Sequence, residues 1–174
     1  IRNMGNRMKI RNIAFEFIGS ATLLIGVVGS SFMASNLTAD KALALLINAA
    51  VTAATLGIII KVGAPVSGAH FNPAVTLANV LLRKIPISTA VQYFFSQICG
   101  AALGVIIANA MFSSTIIGNS SVNRTGSGLF LAEIVATTRL VYLALTSTES
   151  CGPRPNVGWP LIEIASLLRS EPRM

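Results

Sequence analysis

The chain has 174 residues, of which 53% are hydrophobic and only 11% are charged, whereas soluble domains usually contain about 25% charged residues. This composition, with a mean hydropathy of +0.71, excludes an ordinary water-soluble globule and indicates a polytopic membrane protein. The formal net charge of +7 does not indicate nucleic-acid binding, because the basic residues are scattered between apolar stretches, where they act as signals of cytoplasmic topology.

Three long apolar segments are predicted to cross the membrane as helices. The first covers 12–35, follows a basic amino-terminal segment, and has Glu16 as its only charged residue. The second covers 42–60 and ends before Lys61, and the third covers 85–112. At 1.5 Å per residue each can span about 30 Å of hydrocarbon. The basic residues ahead of the first span predict a cytoplasmic amino terminus.

The segment between the second and third spans is apolar but is interrupted by glycine and proline. Lys61 flanks it on one side, and Arg83 and Lys84 flank it on the other. Because basic residues favour the cytoplasmic side, this segment is predicted to enter and leave the membrane on the same side. Irregular backbone at membrane depth is tolerated only inside protein or beside a water-filled cavity, so a function is expected here. A kinked ordinary helix is the alternative.

Asn72 and Pro73 mark the start of a helix inside this segment. Asn is a favoured N-cap and Pro a favoured first helical residue, which predicts a short helix over 73–82. A helix of about 15 Å reaches only halfway through the hydrocarbon and leaves its positive amino end near the midplane. The Asn72 side-chain oxygen can cap the helix while its amide NH₂ faces a cavity. An ordinary Asn-Pro turn is the alternative.

The residues before this helix can offer hydrogen-bond acceptors. Glycine and alanine permit an extended backbone, so the carbonyls of Gly68, Ala69 and His70 can form a row of acceptors for a polar molecule in single file. The positive helix end at the same depth would repel cations, protons included. For His70, the single histidine of the chain, the alternative is a satisfied buried histidine without a functional role.

A fourth apolar segment, 129–145, is a marginal span because it contains both Glu133 and Arg139. Their separation places them on different faces of a helix. The sequence from 146 to 174 is rich in charged residues and proline, and a polar tail is expected there. A short interfacial helix over 159–168 is the alternative.

Few residues are available for catalysis or metal binding. The chain has one histidine, two cysteines and six acidic residues, which form neither a zinc-site pattern nor an obvious acid/base centre. We therefore expect neither an enzyme nor a bound cofactor.

Residues 67–76 read SGAHFNPAVT, which closely resembles the first signature of the aquaporin and glycerol-facilitator family, the major intrinsic proteins. The resemblance covers about 10–137 and continues through AFEFIGSATLL in the first span and YFFSQICGA in the third. The matching residues in these two strings include Glu16, Tyr93, Gln97 and Gly100. The resemblance implies an all-α, aquaporin-like half, with three transmembrane helices and one re-entrant half-helix, followed by the marginal fourth helix.

The resemblance implies a set of residues that line a pore. They are Gly68, Ala69, His70, Asn72, Pro73, Ala74 and Thr52. Thr52 falls near a filter position that is often aromatic in the family, and no aromatic residue occurs from 34 to 69. This would imply a wider outer pore and a solute larger than water.

The resemblance also implies structural roles. Glu16 and its fourth-helix counterpart Glu133 would hold re-entrant loops through hydrogen bonds, which explains acidic residues inside apolar spans. Gln97 and Gly100 belong to the family's third-helix pattern. Gly100 and Gly104 form a GxxxG spacing that permits close helix contact, and chance spacing in a glycine-rich membrane chain is the alternative.

The chain departs from the family after about Thr138. The family is an inverted repeat with a second Asn-Pro-Ala half-helix, and this sequence has no second Asn-Pro-Ala. A truncated or frame-shifted chain is therefore expected. The expected function is an incomplete channel for water or small neutral solutes such as glycerol. The alternatives are a non-conducting protein or degenerate remnant of the first repeat, and half of a secondary transporter, which lacks support because no intramembrane charge relay is present.

The expected partners follow from the same resemblance. They are the lipid bilayer and water or small uncharged solutes, with a homotetramer as the assembly. The expected location is the cell membrane, with several membrane crossings, and no nucleic acid is expected to bind.

Overall fold

The computed structural model describes residues 2–114 and 126–150, with side chains at 9–114 and 126–146. Within these ranges the chain is all-α, and its helices are α1 (Arg2–Leu37), α2 (Lys41–Ser67), α3 (Pro73–Leu81), α4 (Ile87–Met111) and α5 (Ser127–Ser150). All except α3 are long and apolar enough to cross a membrane. The predicted fold class is confirmed.

Helix α2 is longer than its predicted span. It continues beyond Ile60 through Lys61 and Pro65 and ends at Ser67, where Gly68 adopts a left-handed conformation with φ of 89°. Lys61 does not end the helix because its exposed, flexible stem can carry the ammonium group toward the membrane surface. The prediction stopped too early because it treated a charge as a boundary.

Helix α5 also extends beyond its predicted span. It reaches Ser150, so 146–150 is helical and does not begin the polar tail. The Thr146 hydroxyl donates back to the carbonyl of Tyr142 at 3.0 Å, and the sequence from 127 to 152 contains no proline to interrupt the helix. The rest of the predicted tail, 151–174, including the alternative helix over 159–168, lies outside the described residues.

Helix α1 packs against α2 on one side and α4 on the other. Gly100 and Gly104 bring α4 close to α1, because a Cβ at Gly100 would overlap the carbonyl of Phe17 and one at Gly104 would overlap the carbonyl of Ala21. Residue numbers rise together along this contact, so α1 and α4 run parallel.

Helices α1 and α2 run antiparallel and share a polar link. The Asn48 side-chain amide lies 2.9 Å from Ser30 Oγ and 2.8 Å from Ser31 Oγ. Toward the other end of the pair, Gly63 packs against Phe15. Asn48, which was not predicted from the sequence, therefore joins α1 to α2 through direct hydrogen bonds.

Helix α3 runs back toward the end of the bundle where α1 and α4 begin. A tight turn follows it, in which Arg83 has φ of 55° and the Lys84 N–H donates to the Asn79 carbonyl at 2.9 Å. Helix α4 starts immediately afterwards at Ile87. The stretch from 71 to 83 therefore runs from the interior of the bundle to one end, and the return of Lys61 to that same end stays a prediction. We call this the basic end, defined by Lys9, Arg11 and Arg83.

We expect Gly100→Ala to lower the free energy of unfolding by about 1–3 kcal/mol, because the new methyl group meets a backbone carbonyl that cannot rotate away. Gly128→Ala is the control, since nothing lies within 4 Å of a Cβ there. The control is expected to be neutral or slightly stabilising. Unfolding in detergent micelles titrated with dodecyl sulfate measures both, and equal losses would contradict close contact at Gly100.

Candidate functional site

The stretch 68–72 joins α2 to α3 and is not helical. Gly68, Ala69 and Phe71 have φ of 89°, 52° and 47°. Left-handed backbone costs non-glycine residues about 1–3 kcal/mol each, and it persists only where surrounding contacts fix it.

Glu16 of α1 fixes this backbone. Its side chain is 0% exposed. Oε1 accepts hydrogen bonds from Ser67 Oγ at 2.5 Å and from the His70 N–H at 3.0 Å. Oε2 accepts from the Phe71 N–H at 2.7 Å and from Gln97 Nε2 at 2.8 Å. The structure thus brings Glu16 to the loop, and these four donors make burial of the carboxylate tolerable.

Gln97 of α4 extends the network to α3. Its Nε2 also donates to Thr76 Oγ1 at 2.9 Å. The Thr76 hydroxyl donates to the Asn72 carbonyl at 3.1 Å and lies 3.1 Å from His70 Nδ1. Gln97 is only 1% exposed, and its Oε1 has no hydrogen-bond partner among the described side chains and backbone. One buried network therefore connects α1, α3 and α4.

His70 is a buried residue of the loop, and its side chain points toward α4. Its ring meets Tyr93 edge to face with the ring centroids 5.3 Å apart. The Tyr93 hydroxyl donates to the Ser67 carbonyl at 2.9 Å. The His70 side chain is thus packed against α4 and bonded with Thr76, while its backbone N–H is bound to Glu16.

Three polar residues of the site were absent from the sequence-based candidates: Ser20, Ser67 and Thr76. Ser20 Oγ donates to the Phe71 carbonyl at 3.3 Å. Ser20 could have been predicted from its position four residues after Glu16, because this spacing places both side chains on one face of α1. Thr76 had the same signal, four residues after Asn72. Ser67 had no comparable signal, because its contact with Glu16 depends on how α1 and α2 pack.

Asn72 caps α3. Its backbone is extended, with φ of −150° and ψ of 131°, and its Oδ1 accepts from the Ala74 N–H at 2.7 Å. Pro73 is the first helical residue, as predicted. The Asn72 side chain is half-buried, and its Nδ2 donates to no residue that the structure describes. Two amide hydrogens thus remain available at the start of α3.

A row of backbone acceptors precedes this cap. Across 9–114 and 126–146, no donor reaches the carbonyl oxygens of Gly68, Ala69 or His70. The neighbouring carbonyls of Ser67 and Phe71 do accept hydrogen bonds. The loop therefore directs N–H groups to Glu16 and leaves three consecutive carbonyls without a donor among the described residues.

Two sequence-based candidates lie away from this loop. Glu133 is exposed on α5, which packs against α3, and the described ranges contain no second re-entrant loop for it to hold. Thr52 is half-buried on α2, one helical turn after Asn48 and so on the side that faces α1. Its hydroxyl oxygen is buried without a hydrogen-bond partner in the described part of the chain. The filter role of Thr52 stays a prediction.

The arrangement offers hydrogen bonds but little else chemically. Among the described residues, no group of three His, Cys, Asp or Glu side chains is placed to hold a metal ion. The single described histidine and the buried carboxylate are both engaged in structural hydrogen bonds.

Comparison with known proteins identifies the family. The major intrinsic protein profile matches residues 4–160. Aquaglyceroporin AqpS of Rhizobium meliloti (strain 1021) is 40% identical over 131 residues, which are 75% of this chain and 56% of the relative. Aquaporin-5 of Sus scrofa is 30% identical over 161 residues, 89% of this chain and 58% of the relative. Aquaporin-4 of Mus musculus is 36% identical over 90 residues, 49% of this chain and 28% of the relative.

The family match reaches residue 160, beyond Thr138, where sequence analysis ended the resemblance. That boundary was too early, because it rested on single motif residues and on Arg139, whereas the match continues through the whole of α5. The chain spans about half the length of aquaglyceroporin AqpS and of pig aquaporin-5. The profile match over most of the chain, together with four helices suited to crossing a membrane, shows that this multi-pass membrane protein belongs to the major intrinsic protein family.

Proposed function

We propose that this chain supplies the first half of a channel through which water or small neutral solutes pass without chemical change, and that it is not an enzyme. One observation carries the proposal: the free amide of Asn72 follows directly after the three unpaired carbonyls of Gly68, Ala69 and His70. A donor and a row of acceptors along one backbone can replace hydrogen bonds that a polar solute makes with water.

The electrostatics of the loop favour neutral solutes. The amino end of α3 carries roughly half a positive charge from the helix dipole, and a cation would be repelled there. The one acidic group at the loop, Glu16, is 0% exposed and surrounded by donors. It therefore offers no attractive site to a passing cation.

Glycerol is proposed as a solute beside water. Thr52 is a small residue at the predicted filter position, and 34–69 contains no aromatic side chain to narrow the path. A relative that is 40% identical is named an aquaglyceroporin, whereas the mouse and pig relatives are named aquaporins. The first observation supports a wide outer filter, and the second supports glycerol as a solute.

Assembly and location belong to the same proposal. The apolar outer faces of α2 and α5 are largely uncovered, which leaves surface for a homotetramer in the cell membrane. The second candidate function is a non-conducting membrane protein that keeps the first repeat for folding. That candidate rests on the single Asn-Pro-Ala motif of these 174 residues.

Permeability of reconstituted vesicles tests the proposal. We expect little flux from this chain alone, because a half-helix that ends at mid-membrane leaves backbone groups near Asn72 without a facing partner. Addition of the carboxy-terminal half of aquaglyceroporin AqpS is expected to raise water and glycerol permeability several-fold above the lipid background. Stopped-flow light scattering measures both solutes.

Asn72→Asp in the two-part assembly is expected to abolish that rise, because it replaces the free amide with an acceptor and adds a charge. Asn36→Asp is the matched control, since Asn36 is exposed at the end of α1. Rapid flux from the chain alone would contradict the proposal that it supplies only the first half of a channel. Background permeability with both parts inserted would reject the channel and support the non-conducting candidate.

A further inference from the structure

An apolar groove runs along the outside of α1 and α4 near the basic end. Its volume is about 790 Å³, within the range of roughly 300–1,000 Å³ typical of ligand sites. Ile10 and Phe17 line it from α1, and Val91 and Phe95 line it from α4. Ile10 and Phe95 are 66% and 63% exposed, so no described residue covers the groove.

The length of the groove matches one membrane leaflet. Its lining runs from Ile10 to Ile18 on α1, a rise of about 12 Å, whereas one half of the hydrocarbon measures about 15 Å. Farther along, Gly100 and Gly104 bring α4 against the α1 backbone. A partner transmembrane helix would follow the whole length of the pair. A groove confined to one leaflet instead fits a lipid acyl chain.

The open end of the groove is positively charged. Lys9 and Arg11 are exposed on either side of Ile10, which lines the groove. Arg83 is exposed just before α4, and neither 9–14 nor 83–95 contains an acidic residue. Glu16, the nearest acid along α1, is buried and hydrogen-bonded. An apolar trough below a basic rim is complementary to a lipid with a negatively charged headgroup.

We propose that this groove binds one anionic phospholipid, with its acyl chain along the groove and its phosphate at Lys9 and Arg11. Free phosphate would leave the apolar trough empty, so the lipid is the occupant. A bound acyl chain would cover the hydrogen bond in which Ser96 Oγ donates to the Ile13 carbonyl at 2.6 Å, because both residues line the groove. The lipid thereby reinforces the α1–α4 pair and does not take part in solute passage.

Quenching by brominated lipid tests this site in a bilayer. The full chain carries Phe95→Trp as reporter and Trp159→Phe to remove the single native tryptophan. In phosphatidylcholine vesicles, brominated phosphatidylglycerol and brominated phosphatidylcholine are compared at equal, low fractions. We expect at least about five-fold higher apparent affinity for the anionic lipid, since each basic residue near the membrane surface contributes roughly that factor.

Two controls separate the groove from general surface charge. Lys9→Gln with Arg11→Gln is expected to bring the affinity ratio close to one. Lys41→Gln with Lys61→Gln removes the same charge from α2 and is expected to preserve the ratio. A second reporter, Ile58→Trp on the exposed face of α2, is expected to show no lipid preference.

Equal quenching of the Phe95→Trp reporter by both lipids would overturn the proposal. An equal loss of preference in the two double variants would also overturn it, since that result indicates net charge only. Lys9 and Arg11 are exposed and Arg2 and Arg7 remain, so these variants are expected to insert. Helical circular dichroism equal to that of the parent confirms that each comparison concerns folded protein.

Discussion

Glu16→Ala is expected to lower the free energy of unfolding by about 3–6 kcal/mol. The substitution leaves the buried N–H groups of His70 and Phe71 without acceptors, and it also removes the acceptor for Ser67 and Gln97. A buried polar group left unpaired costs about 1–3 kcal/mol. Without Glu16, only two kinds of contact with α1 would still oppose the strain of the left-handed backbone at Phe71. They are the packing of its ring and the hydrogen bond from Ser20.

Titration with dodecyl sulfate in mixed micelles measures the loss. Glu16→Gln is expected to cost less than Glu16→Ala, because it keeps an oxygen for one pair of donors while turning an amide toward the other. Glu133→Ala is the matched control: it removes an exposed carboxylate from an apolar helix and is not expected to destabilise the fold. Similar losses for Glu16→Ala and Glu133→Ala would show that the network around the loop contributes little.

Arg139→Leu is expected to improve membrane insertion of α5 by roughly 100-fold in the equilibrium constant. Arg139 is exposed near the middle of the span Ser127–Thr146, and an arginine at the centre of a membrane helix costs about 2.5–3.5 kcal/mol. Glu133 adds a second charge to the same helix. The unsubstituted α5 is therefore expected to insert poorly when tested alone.

Glycosylation-based insertion of α5 into microsomes checks this expectation. Arg139→Lys is the control that keeps the charge, and its inserted fraction is expected to stay low. An inserted fraction that does not change in Arg139→Leu would show that another residue limits insertion. Replacement of Glu133 by Leu would then identify whether the acidic residue is the limiting one.

The start of α3 was predictable because it depends on neighbouring residues. Asn72 supplies a side-chain acceptor for the Ala74 N–H only two residues away, and Pro73 has the backbone angle of a first helical residue. The helix ends were less predictable. Lys61 reads as a boundary in sequence, yet α2 continues because a flexible side chain on an exposed face need not interrupt the backbone.

The sequence by itself determined the presence of four apolar spans, a break in the helix ahead of Pro73, and the cap at Asn72, since hydropathy and capping act over one helix or less. Only the tertiary structure decided which groups surround the loop. Glu16 meets Gln97 across 81 positions of sequence and Phe71 across 55. These contacts depend on how closely α4 approaches α1 at Gly100 and Gly104 and on where α2 ends. These distances are set by packing between helices, which no local pattern specifies.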